Sequence, residues 1–352
     1  MKEITFVVGA GASSEYGLPV GDKLKKDIVA ALRPRSPGGN VQDQELYYAM
    51  VNLARADTDS PNNIQSYINA VDHISHSLVL SPSIDNFINS HQGDRRVEIV
   101  GKLGIAKCIL DSERNSSLSL KLERNPDPYS PQIKPRLNFN DFADTWMVAL
   151  FMILNQDCRF QNLKANLSKI ALVIFNYDRC VEQFLFEAIK SFYRVGEAEA
   201  KDALSTLHIY HPYGVIGSLP WQAGDHIPFG ARSDSHVLER AAGNIKTFSE
   251  SNAVNDSDTR EIRGLIAGSK SLVFLGFGFI PLNMRLLQPA SHHPNCKRNT
   301  VFATTYNVSQ FDKQRISEEL KILSGSTLEP HLSESKAGKL FSEFTRGVRL
   351  AV

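Results

Sequence analysis

A β-branched run, Ile4–Val8 (ITFVV), passes without a spacer into Gly9-Ala10-Gly11. Helical spacing follows over Gly21–Leu32, with Leu24, Ile28, Val29 and Leu32 on one stripe. A short strand that is apolar throughout cannot have a wet face, so it belongs inside a sheet covered on both sides. The glycine turn and the helix after it are the beginning of a strand–turn–helix unit.

The same alternation returns in the second half of the chain. Strand candidates Ala171–Phe175, Leu207–Tyr210, Ser271–Leu275 and Thr300–Thr304 alternate with helical patterns over Arg179–Tyr193, Val237–Ser249, Thr259–Ala267, Asn283–Leu287 and Ser309–Leu320. Short strands separated by longer helices predict an α/β class, with a Rossmann-like parallel sheet and helices on both faces. The stretch between the two halves reads differently. Apolar residues recur at helical spacing over Leu46–Ala56, Ile64–Ser77, Ile84–Asn89, Val97–Leu110 and Phe139–Leu154, with no convincing strand. Ser112–Arg136 carries Pro126, Pro128, Pro131 and Pro135 and reads as an exposed loop. The expected organisation is one α/β domain, interrupted. Residues 1–40 give the first strand, glycine loop and helix, 41–165 a mostly helical insertion, and 166–352 the remainder.

Composition narrows the function classes. Lys+Arg 39 against Asp+Glu 38 leaves a formal charge of +1 over 352 residues. Whole-protein attraction to nucleic acid or to an anionic membrane is therefore not expected. The longest apolar stretch, around Trp146–Leu154, is too short to span a bilayer, so no membrane association is expected. The N-terminal MKEITFVVGAG enters a glycine loop and does not read as a signal peptide. Cys108, Cys158, Cys180 and Cys296 lack CxxC spacing, so a zinc ribbon is not expected. Scattered thiols fit a reducing cytosol, and a cytoplasmic location is the expectation.

Five clusters sit where predicted strands end. GAGASSEYGLP at Gly9–Pro19 has the form of a phosphate cradle, in which Gly9, Ala10, Gly11, Ser13 and Ser14 would approach or donate to an anion. It departs from a dehydrogenase fingerprint. Ser14 stands where a third glycine is wanted, and no acidic residue ends a second strand about 20 residues on. IFNYDRCVEQF at Ile174–Phe184 presents Asn176, Tyr177 and Asp178, and Asp178 is also well placed to cap the next helix. LHIYHPYG at Leu207–Gly214 puts His211 just past a strand, with a side chain suited to proton transfer near neutrality. LVFLGFGFIPLN at Leu272–Asn283 supplies a second glycine turn, Gly276-Phe277-Gly278, and Asn283, which can cap a helix or bond a ribose. VFATTYN at Val301–Asn307 places Thr304 at another strand end. Two glycine turns at one sheet edge suit a two-ended ligand.

The order GAGAS…GLP, NYD, HPYG and LGFGF…N resembles the SIR2-like family, and within it the bacterial defence-associated NAD-consuming branch. SIDNFI at Ser83–Ile88 is similar to a segment often seen in that branch. The chain lacks the four-cysteine zinc module of sirtuin deacylases, and Pro212 and Tyr213 separate His211 from Gly214. The resemblance implies a hydrolase that cleaves the nicotinamide–ribose bond, with NAD as substrate and no metal. Asn176 would orient ribose or water, Asp178 would bond the carboxamide or ribose, and His211 would act as base. Gly9, Gly11 and Ser13 would hold the pyrophosphate, and Gly276, Phe277, Gly278, Asn283 and Thr304 the adenosine half. It further implies an effector of anti-phage defence, held off until a homo-oligomer forms or a sensor subunit from the same operon binds. Two other readings stay open: a module that binds NAD or an ADP-ribose derivative without cleaving it, and an NAD-dependent ADP-ribosyl or deacylase-type transferase.

Overall fold

The computed structural model describes residues 2–35, 40–57, 62–120, 136–251, 257–289, 300–344 and 346–348. In chain order the elements are β1 (Ile4–Val8), α1 (Ala10–Ser13), α2 (Gly21–Ala31), α3 (Gln44–Ala56), α4 (Ile64–Ser77), α5 (Ile84–Ser90), α6 (Arg95–Asn115), α7 (Trp146–Asn155), α8 (Phe160–Ser168), β2 (Ile170–Ile174), α9 (Cys180–Tyr193) and α10 (Glu197–Leu204). They continue as β3 (His208–Tyr210), α11 (Ser235–Gly243), α12 (Phe248–Ser251), α13 (Ser257–Gly268), β4 (Ser271–Leu275), α14 (Pro281–Leu287), β5 (Thr300–Thr304), α15 (Gln310–Ser324), β6 (His331–Ser333) and α16 (Ala337–Glu343).

The six strands form one parallel sheet in the order β3-β2-β1-β4-β5-β6, the order of dinucleotide-binding sheets. The α/β expectation therefore holds. Alternate residues of each strand feed opposite cores. Val7, Val173, Phe274 and Ala303 enter one, while Phe6, Val8, Leu172, Val273 and Phe302 enter the other. β1, β2 and β4 are buried at every position, which is why their sequences show apolar runs and not alternation.

The stretch 41–165 does not behave as a single insertion. Helices α3–α6 share the first core with α2 and α11, while α7 and α8 share the second with α9 and α16. The Trp146 indole donates to the Ala12 carbonyl at 3.1 Å, and Glu15 accepts from the amides of Trp146 (3.1 Å) and Gly338 (2.9 Å). α7 is thus a layer helix anchored on the first glycine loop, and the segment apart from that layer is α3–α6. α6 extends through Asn115 into the expected proline loop, whose four prolines lie outside the described residues. Among the described residues no helix is long and apolar enough to cross a membrane.

Register sets the level of the site. Val8 pairs with both Ile174 and Leu275, and Tyr210 pairs with Val173. Gly9, Asn176, His211 and Gly276 therefore leave the sheet at nearly one height, at its carboxyl edge. Between β1 and β4 the strand order reverses, and the crevice at such a switch point is where ligands sit in open α/β sheets.

Candidate functional site

The two glycine turns are built against each other. The Gly9 amide donates to Leu275 O at 2.9 Å and the Gly11 amide to Gly276 O at 3.0 Å. A Cβ on Gly9 would lie 2.5 Å from Gly276 O, and one on Gly276 would lie 2.1 Å from the Ala12 amide nitrogen. Gly276 also has φ +54, in the left-handed region that disfavours a side chain. Gly276→Ala is expected to cost about 1–3 kcal/mol of stability, through overpacking and strain, read as a lower denaturant midpoint. This corrects the expectation that the amides of Gly9 and Gly11 face a pyrophosphate. Both are committed to loop–loop contact, and the glycines are needed for the closeness of that approach. Ser14 Oγ likewise donates to Gly11 O at 2.6 Å.

Ser13, Asn176, Asp178 and His211 do converge. Asn176 Nδ2 donates to Ser13 Oγ at 2.8 Å and to Gly9 O at 3.2 Å. The Ser13 hydroxyl bonds Asp178, whose carboxylate also accepts from the Cys180 amide at 3.1 Å. Asp178 therefore holds the first amide of α9 from one residue before the N-cap position, Arg179, as well as being a member of the cluster. Burial pushes its carboxyl above the ordinary range against these hydrogen bonds, and the nearby Glu182 charge acts in the same direction. Both amide hydrogens of Asn176 are committed to Ser13 and Gly9. The atom this side chain can offer a ligand is the acceptor Oδ1.

His211 Nδ1 lies 3.0 Å from Asn176 O, and Nε2 lies 2.8 Å from Glu182 Oε1. Both partners accept, so the arrangement suits a doubly protonated ring. Burial opposes that charge, but the Glu182 carboxylate, the Asn176 carbonyl and Asp178 outweigh it and raise the ring above its ordinary value of 6.5. The expectation of a free general base at His211 is corrected accordingly. The ring acts as a base only after one of these contacts opens.

Glu182 was not singled out by sequence. It is 4% exposed, and its Oε2 has no hydrogen-bond partner in the structure. Its burial, and not its spacing in the sequence, marks it. A charged residue stands inside Cys180–Phe186, a helical run buried at every position and four residues after Asp178.

The other predicted residues serve packing. Thr304 Oγ1 accepts from the Gly276 amide at 2.7 Å and so clips the ends of β4 and β5 together. Phe277 is buried with its ring 5.1 Å from that of Phe175. Asn283 lies within α14 and accepts from the Tyr213 hydroxyl at 2.7 Å, so it does not cap the helix. Gly278 is exposed, and Ala10 is half-buried beside the cluster. A cavity of about 540 Å³ opens against α7 and α16 and another of about 630 Å³ beside Glu15 and Glu334–Lys336; both are lined by Asp144, Thr145 and Lys339, and neither by Asn176, Asp178 or His211. Ser13, Asn176 and Asp178 are buried, and their hydrogen bonds run within the cluster and to the backbone beside it.

No protein-family model matches the chain, and no curated protein matches it significantly.

Proposed function

We propose that the chain is an NAD glycohydrolase of SIR2-like type. The observation that carries this reading is the meeting of Ser13, Asn176, Asp178 and His211 at the carboxyl edge of β1, β2 and β3, beside the switch point of the sheet. They come from three segments far apart in sequence, and three of the four motifs that carry the family resemblance contribute to the cluster.

The chemistry required is modest. Nicotinamide departs as a neutral base from a cationic pyridinium, so its departure needs no acid. The barrier lies in an oxocarbenium-like ribose, as in glycoside hydrolysis. The carboxylates of Asp178 and Glu182 put negative charge, fixed in advance, beside that centre. Asn176 Oδ1 accepts a hydrogen bond from a ribose hydroxyl or from the attacking water. The His211 ring fixes the Asn176 carbonyl and Glu182. Water gives its oxygen to the anomeric carbon and its proton to a carboxylate, and the products are nicotinamide and ADP-ribose.

The closed packing of the cluster supports an enzyme that rests in an off state, in line with an anti-phage effector activated by assembly or by a sensor subunit. One observation favours the non-catalytic binding module instead: neither ring nitrogen of His211 is free. Incubation with NAD followed by mass spectrometry separates the readings. Released nicotinamide is expected, whereas bound, intact NAD would install the binding module.

The Glu182–His211 pair has its own signature. In Glu182→Gln, burial meets only Asp178 and the Asn176 carbonyl, and the His211 ring is expected to titrate lower by NMR than the native ring, which titrates above its ordinary value. A raised histidine contributes stability that is fully present below its unfolded pKa and is lost as pH rises through its folded value. Native stability should therefore decline from pH 6.5 upward, and the decline should weaken in Glu182→Gln.

A further inference from the structure

The turn that carries Asn176 and Asp178 is held from outside the sheet, on both sides of Asp178. On one side, Tyr177 keeps its ring in the core, 6.3 Å from that of Tyr213, and donates its hydroxyl to Asp85 in the first turn of α5. On the other, Arg179 donates its amide and Nε to Glu113 Oε1, both at 3.1 Å, and Nη2 to Glu113 Oε2, near the end of α6. The remaining guanidinium donors reach the carbonyls of Gly217, Ile227 and Pro228, in the segment that runs from His211 to α11. Glu113 accepts from the Gly230 amide of that segment at 3.1 Å.

Arg179 and Glu113 side chains are 1% and 0% exposed. A buried ion pair is a poor device for stability alone, because apolar residues of similar volume do as well or better. What the pair supplies is direction: a planar fork met by a carboxylate fixes the backbone of residue 179 in position and angle. α5 packs on α6, and α6 packs on α2, α4 and α11. The two jaws are thus parts of one packed unit, and each closes on an immediate neighbour of Asp178.

We propose that α5 and α6 form a clamp that positions the Asn176–Asp178 turn, with Asp85 and Glu113 as positioning residues, so that a shift of either helix is transmitted to the site. This gives the α3–α6 segment a role in regulation. Its catalytic consequence rests on the NAD reading, but its mechanical consequence does not.

The test uses the full chain with Tyr177→Phe and Asp85→Asn, which keep side-chain volume. Amide exchange over 176–182 is expected to quicken about tenfold in each, the scale of one lost hydrogen bond to a charged group, while β1, β2 and β4 keep their protection. Nicotinamide release should fall in kcat by a similar factor with KM unchanged, the pattern of misplaced groups and not of lost binding. Unchanged exchange over 176–182 in both variants would overturn the clamp, and so would equal quickening throughout the sheet. A native chain that leaves NAD intact would remove the function reading, while the exchange result would still decide the clamp.

Discussion

Glu113→Gln is expected to lower the free energy of unfolding by about 3–5 kcal/mol, the scale of breaking a buried ion pair from one side. Four N–H donors converge on the two carboxylate oxygens of Glu113: the Arg179 amide, Nε and Nη2, and the Gly230 amide. Burial pushes this carboxyl up, and Arg179 and the Gly230 amide pull it down. The donor set is one that an ionised carboxylate satisfies and a carboxamide cannot, because the amide nitrogen of Gln would face donors. The substitution also leaves the Arg179 guanidinium charged and buried without a counter-charge. Replacing both partners with Met should cost less than either single change, since the desolvation penalty disappears along with the attraction. Urea denaturation of Glu113→Gln, Arg179→Met and the double Met variant measures this. A loss below about 1 kcal/mol for Glu113→Gln, the range of an exposed pair, would show that the pair is not the anchor described.

The sheet was legible because its strands are buried on both faces. Ser271–Leu275 and Thr300–Thr304 emerge from the sequence with the bounds they have in the fold, since a parallel strand inside three layers carries an unbroken apolar run, here Leu272–Leu275 and Val301–Ala303. β6 escaped notice. It is three residues at the sheet edge, His331–Ser333, with one exposed and one half-buried position, and no pattern can form over that length. α10 (EAEAKDAL) buries two alanines and one leucine, too little apolar contrast to register as a stripe. The site was legible to the extent that topology fixes it: in a parallel sheet every strand ends at the same edge, so Ser13, Asn176, Asp178 and His211 could be gathered from strand ends alone. What each glycine does could not be read. Gly9 and Gly11 look alike whether they admit a phosphate or a neighbouring loop, and only the position of Gly276 decides. Glu182 and the Asp85 and Glu113 contacts depend on helix orientation, which spacing along the chain does not reveal.

Asn176→Ala and His211→Ala are each expected to lower nicotinamide release by about 10²-fold or more, the usual scale for a lost positioned polar or acid–base group. The two losses have different causes. Asn176→Ala removes the Oδ1 acceptor, and with it the bonds that tie β2's end to Gly9 and Ser13. Its loss should therefore be pH-independent. His211→Ala takes away the partner of Glu182 Oε1, and Oε2 already lacks one, so the charge of Glu182 is left buried without a counter-charge. Glu182→Gln breaks the same pair from the other side, so in His211→Ala combined with Glu182→Gln the loss should not exceed the larger of the two single losses. Rates of the single variants and of the combination, measured from pH 6 to 9 with folding checked by circular dichroism, carry the comparison. Release that persists in both Asn176→Ala and His211→Ala would remove these residues from the reaction. A combined loss equal to the sum of the two single losses in free energy would mean that the histidine works through its own ring and not through Glu182.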